Sequence, residues 1–291
     1  MSLHRPSRFS LSLASACAFA LAATGTAGCA GHAASSEAID AESAALVVDD
    51  QDTDDHEQTT ELGIEEPLSG VSVAGGELDL TLDAPAAASA AKTNPGVFFQ
   101  PAGCLTSTVA GNVVTHVFDD CTGPYGLVHL SGTVTSTWSK IAGGVEVVHQ
   151  TTGFHIDGAV VDHTVTIDYT RLPAGTGVYT KTRHGTSSGT TKNGRAITHQ
   201  ADYVTTWDPA SRCLTRNGSS DTTIGGAEFS RTITDYVRCG VGLGGCPKSG
   251  KYLLTRRARS IELDFPGGAL VDVKIDGGAT IERPLVCRPL A

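Results

Sequence analysis

The chain has 291 residues, a formal net charge of -10, 34 Gly, one Met and only 5% aromatic residues. Abundant Thr and Val among so many Gly argue against a helical bundle, because β-branched side chains lose rotamer freedom on a helix and pack well on a pleated surface. The negative charge is local: residues 30–91 hold fifteen Asp and Glu and no Lys or Arg, whereas 92–291 hold nineteen basic against sixteen acidic side chains, a net of +3. A nearly neutral folded part excludes a nucleic-acid-binding domain.

In chain order, Arg5 and Arg8 precede an apolar run from Phe9 to Ala23 that ends in small residues. This three-part layout predicts a secretory signal peptide over 1–28, too short and too rich in small residues to span a membrane. It closes on Thr26-Ala27-Gly28-Cys29. That segment resembles the lipobox of bacterial lipoproteins, a resemblance confined to the N-terminal region; no characterised family is recognised for the rest. The resemblance implies acylation of Cys29 and a membrane partner reached through the lipid anchor. Each buried CH2 of the acyl chains would contribute about 0.8 kcal/mol. Ala30 follows the cysteine where an Asp would resemble an inner-membrane retention signal, which favours the outer membrane of the cell envelope. The alternative is ordinary cleavage near Ala30 and secretion.

Residues 29–92 read as a disordered acidic tether, since low hydrophobicity with charge of one sign cannot offset the entropy of ordering. Within it Glu77-Leu78-Asp79-Leu80-Thr81-Leu82 alternates and predicts a strand added to a sheet edge, and the Ala-rich patch Ala84 to Ala91 reads as a spacer.

Residues 93–291 form one domain, long enough at roughly 200 residues to bury a core. Strands are expected over Leu127 to Trp138, Val145 to Thr151, Val160 to Thr170, Ala196 to Trp207, Phe229 to Val237, Ile261 to Phe265 and Leu270 to Ile275. Between them lie turn pairs such as Asp157-Gly158, Asn193-Gly194, Asn217-Gly218 and Gly225-Gly226. No window has a helical period. The fold class is therefore all-β, an antiparallel meander of about ten to thirteen strands forming a curved sheet, an open barrel or a sandwich. Three segment pairs suggest an internal duplication of four strands: Thr135 to Trp138 with Val204 to Trp207, Ile156 to Ala159 with Ile224 to Ala227, and Asp168-Tyr169 with Asp235-Tyr236.

Six cysteines in an exported domain, Cys104, Cys121, Cys213, Cys239, Cys246 and Cys287, read as disulfides. Proximity favours Cys104 with Cys121 and Cys239 with Cys246, leaving Cys213 for Cys287; fifteen pairings are formally open. Paired CxxC spacing of a zinc site is missing.

Several motifs imitate chemistry. Gly185-Thr186-Ser187-Ser188-Gly189 matches a nucleophile elbow, but no helix pattern follows and no acid lies between Ser187 and the last histidine, His199. The Gly-rich stretch 240–245 runs into Cys246-Pro247 rather than a helix that would face a phosphate. His155, Asp157, Asp162 and His163 flank one hairpin and would form a metal or catalytic cluster if they converged; solvent-face polar residues are the commoner arrangement. Arg256, Arg257 and Arg259 near Lys251 form a basic cluster suited to anionic lipid, polysaccharide or the chain's own acidic segment, or a strand edge guarded by charge. Trp138 and Trp207 would stack on sugars or anchor the core. No cofactor, metal or catalytic residue is assigned. The expected function is a non-enzymatic envelope lipoprotein with a structural or binding role and an envelope protein or glycan as partner. The alternatives are a carrier of lipid or another apolar ligand on the curved sheet, and a secreted hydrolase.

Overall fold

The computed structural model describes residues 79–93, 99–123, 128–172, 177–239 and 246–285. The leader, Cys29, the acidic run as far as residue 78, the Gly-rich stretch 240–245 and Cys287 lie outside them. Thirteen strands occur among the described residues: β1 (Leu105–Ala110), β2 (Val113–Thr122), β3 (His129–Ile141), β4 (Gly144–Ile156), β5 (Ala159–Arg171), β6 (Tyr179–Thr190), β7 (Ala196–Asp208), β8 (Cys213–Ile224), β9 (Ala227–Cys239), β10 (Pro247–Arg256), β11 (Arg259–Asp264), β12 (Leu270–Ile275) and β13 (Ile281–Pro284). All join one antiparallel sheet in sequence order, an open meander with β1 and β13 as its edges. The all-β expectation holds, and a two-sheet sandwich is excluded.

All seven expected strands are present, and six more were not legible from alternation. β6 shows why. Its inward positions carry Lys181, Arg183, Gly185, Ser187 and Gly189, so the apolar half of the period-two signal is missing. Most of the expected turns close hairpins, but Asn217-Gly218 does not: it lies inside β8, where the register to β9 shifts. The Asn217 side chain accepts a hydrogen bond from the backbone N–H of Asp235 at 2.7 Å. Gly218 has φ +147, and a Cβ there would fall 2.1 Å from the Asp202 carbonyl oxygen. The dipeptide thus makes a bulge rather than a turn, the other setting that demands a glycine.

The segment pairs that suggested duplication occupy matching places four strands apart. Ile156 with Ala159 closes the β4–β5 hairpin and Ile224 with Ala227 closes β8–β9. Trp138 on β3 is fully buried, whereas Trp207 at the equivalent place on β7 is only half-buried, so just one of the two anchors the core.

The Ala-rich patch corrects two expectations. It is a helix, α1 (Ala84–Thr93), and the boundary drawn at 92/93 falls inside it. Ala has the highest helix propensity, Pro85 sits in the first turn where its missing N–H costs nothing, and the Asp83 side chain caps the Ala86 N–H at 2.9 Å. The lack of an amphipathic period concealed it, because small Ala side chains serve as the packing face. Ala87, Ala88 and Ala91 are buried with Trp138, Val147, Ile167 and Tyr169. Ahead of it, Asp79 to Leu82 form a turn rather than an edge strand. Leu80 is buried there, and Lys140 Nζ donates to the carbonyl oxygens of Leu80 and Leu82.

A second cluster fills the opposite end of the strands. Phe99, Phe118 and Phe154 stack edge to face, centroids 5.1 and 5.4 Å apart, beside the Cys104–Cys121 disulfide. The second disulfide is Cys213–Cys239, which corrects both the expected Cys239–Cys246 pairing and the expected Cys213–Cys287 pairing. The β8–β9 register sets Cys213 directly opposite Cys239, so the sheet rather than sequence proximity selects the partner. Cys246 is also disulfide-bonded, and its partner lies outside the described residues.

Replacing Trp138 with Ala is expected to cost about 3–5 kcal/mol, the range for a fully buried large aromatic, seen as a lower urea midpoint. Gly218→Ala, whose Cβ would meet the Asp202 carbonyl oxygen and the Tyr203 Cα as well as the Tyr203 ring, should lower the same midpoint without changing the disulfides.

Candidate functional site

Residues opposite one another in an antiparallel ladder share a face, so the registers sort every side chain into an inner or an outer set. The inner set is the buried one from β2 to β9. It contains four histidines, His116 on β2, His149 on β4, His163 on β5 and His199 on β7, all buried. Each takes the parity of its apolar neighbours, as in Val114, His116 and Phe118, or Val161, His163 and Val165. That parity was the signal sequence reasoning passed over.

Hydroxyl groups meet these imidazoles from adjacent strands. Ser107 Oγ lies 2.8 Å from His116 Nδ1, Ser136 Oγ 2.8 Å from His149 Nδ1, and Thr222 Oγ1 2.8 Å from His199 Nδ1. Ser187 stands opposite both His163 and His199. The result is a band of imidazole and hydroxyl groups between the helix-side cluster and the phenylalanine cluster. A hydrogen bond at Nδ1 fixes ring orientation, while His116 Nε2 finds no hydrogen-bond partner among the described residues.

Burial holds two of these imidazoles below the ordinary range. The His116 imidazole is pushed down to about 3, chiefly by burial and secondarily by His149. His163 is held well below the ordinary range, first by burial, then by Arg183 and by His149 and His199. Among the described residues no three of His, Cys, Asp and Glu converge as a metal site.

The cluster expected around the β4–β5 hairpin disperses. His163 faces inward, whereas His155 and Asp162 are exposed and Asp157 sits in the turn. The carboxylates are engaged with backbone: Asp157 accepts the His129 N–H at 2.7 Å, and Asp162 accepts the Gly153 N–H at 2.6 Å across a bulge. Ser187 lies in the middle of β6, not on an elbow.

Charge divides between the faces. From β6 to β13 the inner positions carry Lys181, Arg183, Arg216, Arg231, Arg238, Arg256, Arg259 and Arg283, and no Asp or Glu. The acids of those strands stand outward, with Asp235 at an exposed bulge. Outer-face ladders pair them, as in Lys251 with Asp264 at 2.8 Å and Lys274 with Glu262 at 3.0 Å. Exposed Asp202 contacts His184 across the same face.

Several inner cations lie over aromatic rings. Arg216 lies 5.6 Å from the Tyr203 centroid, Arg183 6.0 Å from the same ring, and Arg256 5.2 Å from Phe229. The expected Arg256, Arg257 and Arg259 cluster is therefore split. Arg256 and Arg259 oppose each other on the inner face and Arg257 occupies the turn, while Arg259 Nε also meets Asp276 at 2.6 Å. Nor is this a guarded edge, since β10 and β11 have neighbours on both sides. A cavity of about 30 Å³ beside Phe229, Leu254, Arg256 and Ile261 is water-sized.

Because His116 and His163 take up protons more readily unfolded than folded, their contribution to stability is complete above the unfolded value near 6.5. It is lost as pH falls from there toward about 3 for His116. Urea midpoints measured from pH 7 to pH 4 should fall steeply, and His116→Gln should flatten that slope. No protein family model, no curated protein and no solved structure matches this chain.

Proposed function

We propose that the chain is a non-enzymatic, lipid-anchored protein of the bacterial cell envelope that acts by binding or as a structural element, with an envelope protein or glycan as partner. The observation that carries the binding role is the division of charge between the faces, in which the inner strand positions of β6 to β13 carry eight Lys and Arg and no Asp or Glu.

Two observations favour this over a lipid carrier. The inner face is packed with side chains at Trp138, Phe154 and Ile167, and farther along it is cationic and hydroxyl-rich rather than continuously apolar. A ligand pocket for a drug-sized apolar molecule would be of order 300–1,000 Å³. Disulfides at Cys104–Cys121 and Cys213–Cys239 suit an oxidising compartment. No described helix is long and apolar enough to cross a membrane. Attachment is assigned to the lipobox-like Cys29.

Intact mass spectrometry of membrane-extracted protein should find the chain starting at Cys29 with added acyl mass. Cys29→Ser should remove that mass and release the protein from the membrane fraction. A wild type that carries no acyl chain and appears in the medium would overturn the anchor.

A further inference from the structure

We infer that the sheet is built as two halves joined at β6, and that acid opens the first, α1 with β1 to β5, while the second, β7 to β13, keeps its fold. Three features of the inner face lead there. The first is a seam. The apolar clusters of the first half draw on α1, on β1 to β5 and on the segments leading into them. Those of the second, Ile197 with Ile224 and Phe229, and Ala201 with Tyr203 and Ile233, share no residue with them. β6 lies between and adds only Tyr179, at its start, to the first half. From there its inner positions run Lys181, Arg183, Gly185, Ser187 and Gly189, without an apolar side chain.

The second feature is connectivity. Every described strand pairs only with its neighbours in the chain, so the β5–β6 and β6–β7 ladders join the two halves. Cys104–Cys121 braces the first half and Cys213–Cys239 the second, and neither crosses β6. In so linear an arrangement cooperativity passes through nearest-neighbour interfaces, and a strand poor in apolar contacts is where separately opening parts divide.

The third is where the imidazoles lie. Of the four buried inner histidines, His116, His149 and His163 belong to the first half and His199 alone to the second. The chain has no histidine beyond His199. The charged side chains at inner positions around them are all cations: Lys140 on β3, Arg171 on β5, Lys181 and Arg183 on β6, Arg216 on β8 and Arg231 on β9. β1 contributes the Ser107 hydroxyl, Lys92 of α1 is exposed, and Glu146 and Asp168 oppose each other on the outer face. A proton added to the band while it is folded therefore joins positive charge.

Opening frees the rings to take up that proton. Going from near 6.5 unfolded to about 3 folded, His116 alone makes opening roughly 25-fold more favourable at pH 5 than at pH 7. His163 acts in the same direction, held down by burial first and then by Arg183. Acid thus uncovers Phe118, Phe154 and Trp138, all buried at neutral pH, on one half of the sheet only. The device is independent of acylation at Cys29, so either can fail alone.

Hydrogen–deuterium exchange of the detergent-extracted full chain at pH 7 and pH 5, with labelling times scaled to the intrinsic rate at each pH, reads the halves separately. Protection of β2 to β5 should drop roughly 25-fold or more at pH 5, and that of β8 to β10 by less than about threefold. Equal losses in both halves, or no loss in β2 to β5, would overturn the proposal. His116→Gln removes one titrating group and leaves a side chain that Ser107 can still meet, so it should shrink the pH 5 loss in β2 to β5 about tenfold. A variant protected at pH 7 that loses as much at pH 5 as wild type would sink the switch. Should that variant fail to fold, the wild-type comparison of the two halves still decides.

Discussion

A single sheet must bury one of its faces, and among the described residues only one short helix packs on this one. Among the described residues the only helix is ten residues long and packs against β1 to β3. The period of two residues per pleat therefore governs the molecule, because a slip of one residue in any ladder would exchange histidines and arginines for carboxylates. The bulges at Phe118/Cys121, Ser131/Val134, Thr151/Phe154 and Arg216/Gly218 correct the register without reversing the faces.

The inner face is unusual in what it buries. Apolar clusters occupy both ends of β2 to β5, and a band of imidazole and hydroxyl groups runs between them. An imidazole suits such a layer: it fills the volume of a mid-sized side chain and gives Ser107, Ser136 and Thr222 a hydrogen-bonding partner. The same burial that makes it fit makes protonation unfavourable. Stability and charge state are thus tied together at the centre of the sheet rather than at its surface.

Seven of the thirteen strands, the antiparallel order and most hairpin turns were legible because Val, Ile and Thr alternate and Gly pairs mark the connections. The helix was not, since a patch of small side chains gives no amphipathic period to read. Asn217-Gly218 misled because a bulge and a tight turn demand the same residue types. Cys213–Cys239 could not be read from spacing, as it depends on which strands are neighbours. Of the candidate site, the residues themselves were in view but their faces were not assigned. His163 was grouped with His155, Asp157 and Asp162 by proximity along the chain, although its parity already placed it with Val161 and Val165.

The Cys104–Cys121 bridge carries a mechanical consequence. In a meander, tension applied at the N-terminal side would peel strands away one at a time, each ladder opening bond by bond like a zip. Cys104 precedes β1, and its sulfur is joined to Cys121 near the end of β2. A pull arriving there is carried across the covalent bridge into the far end of β2, bypassing β1 and the turn beyond it. The first hairpin, with nearly all of β2, lies inside the covalent loop and is shielded from unzipping, and the load passes along the chain toward β3 instead.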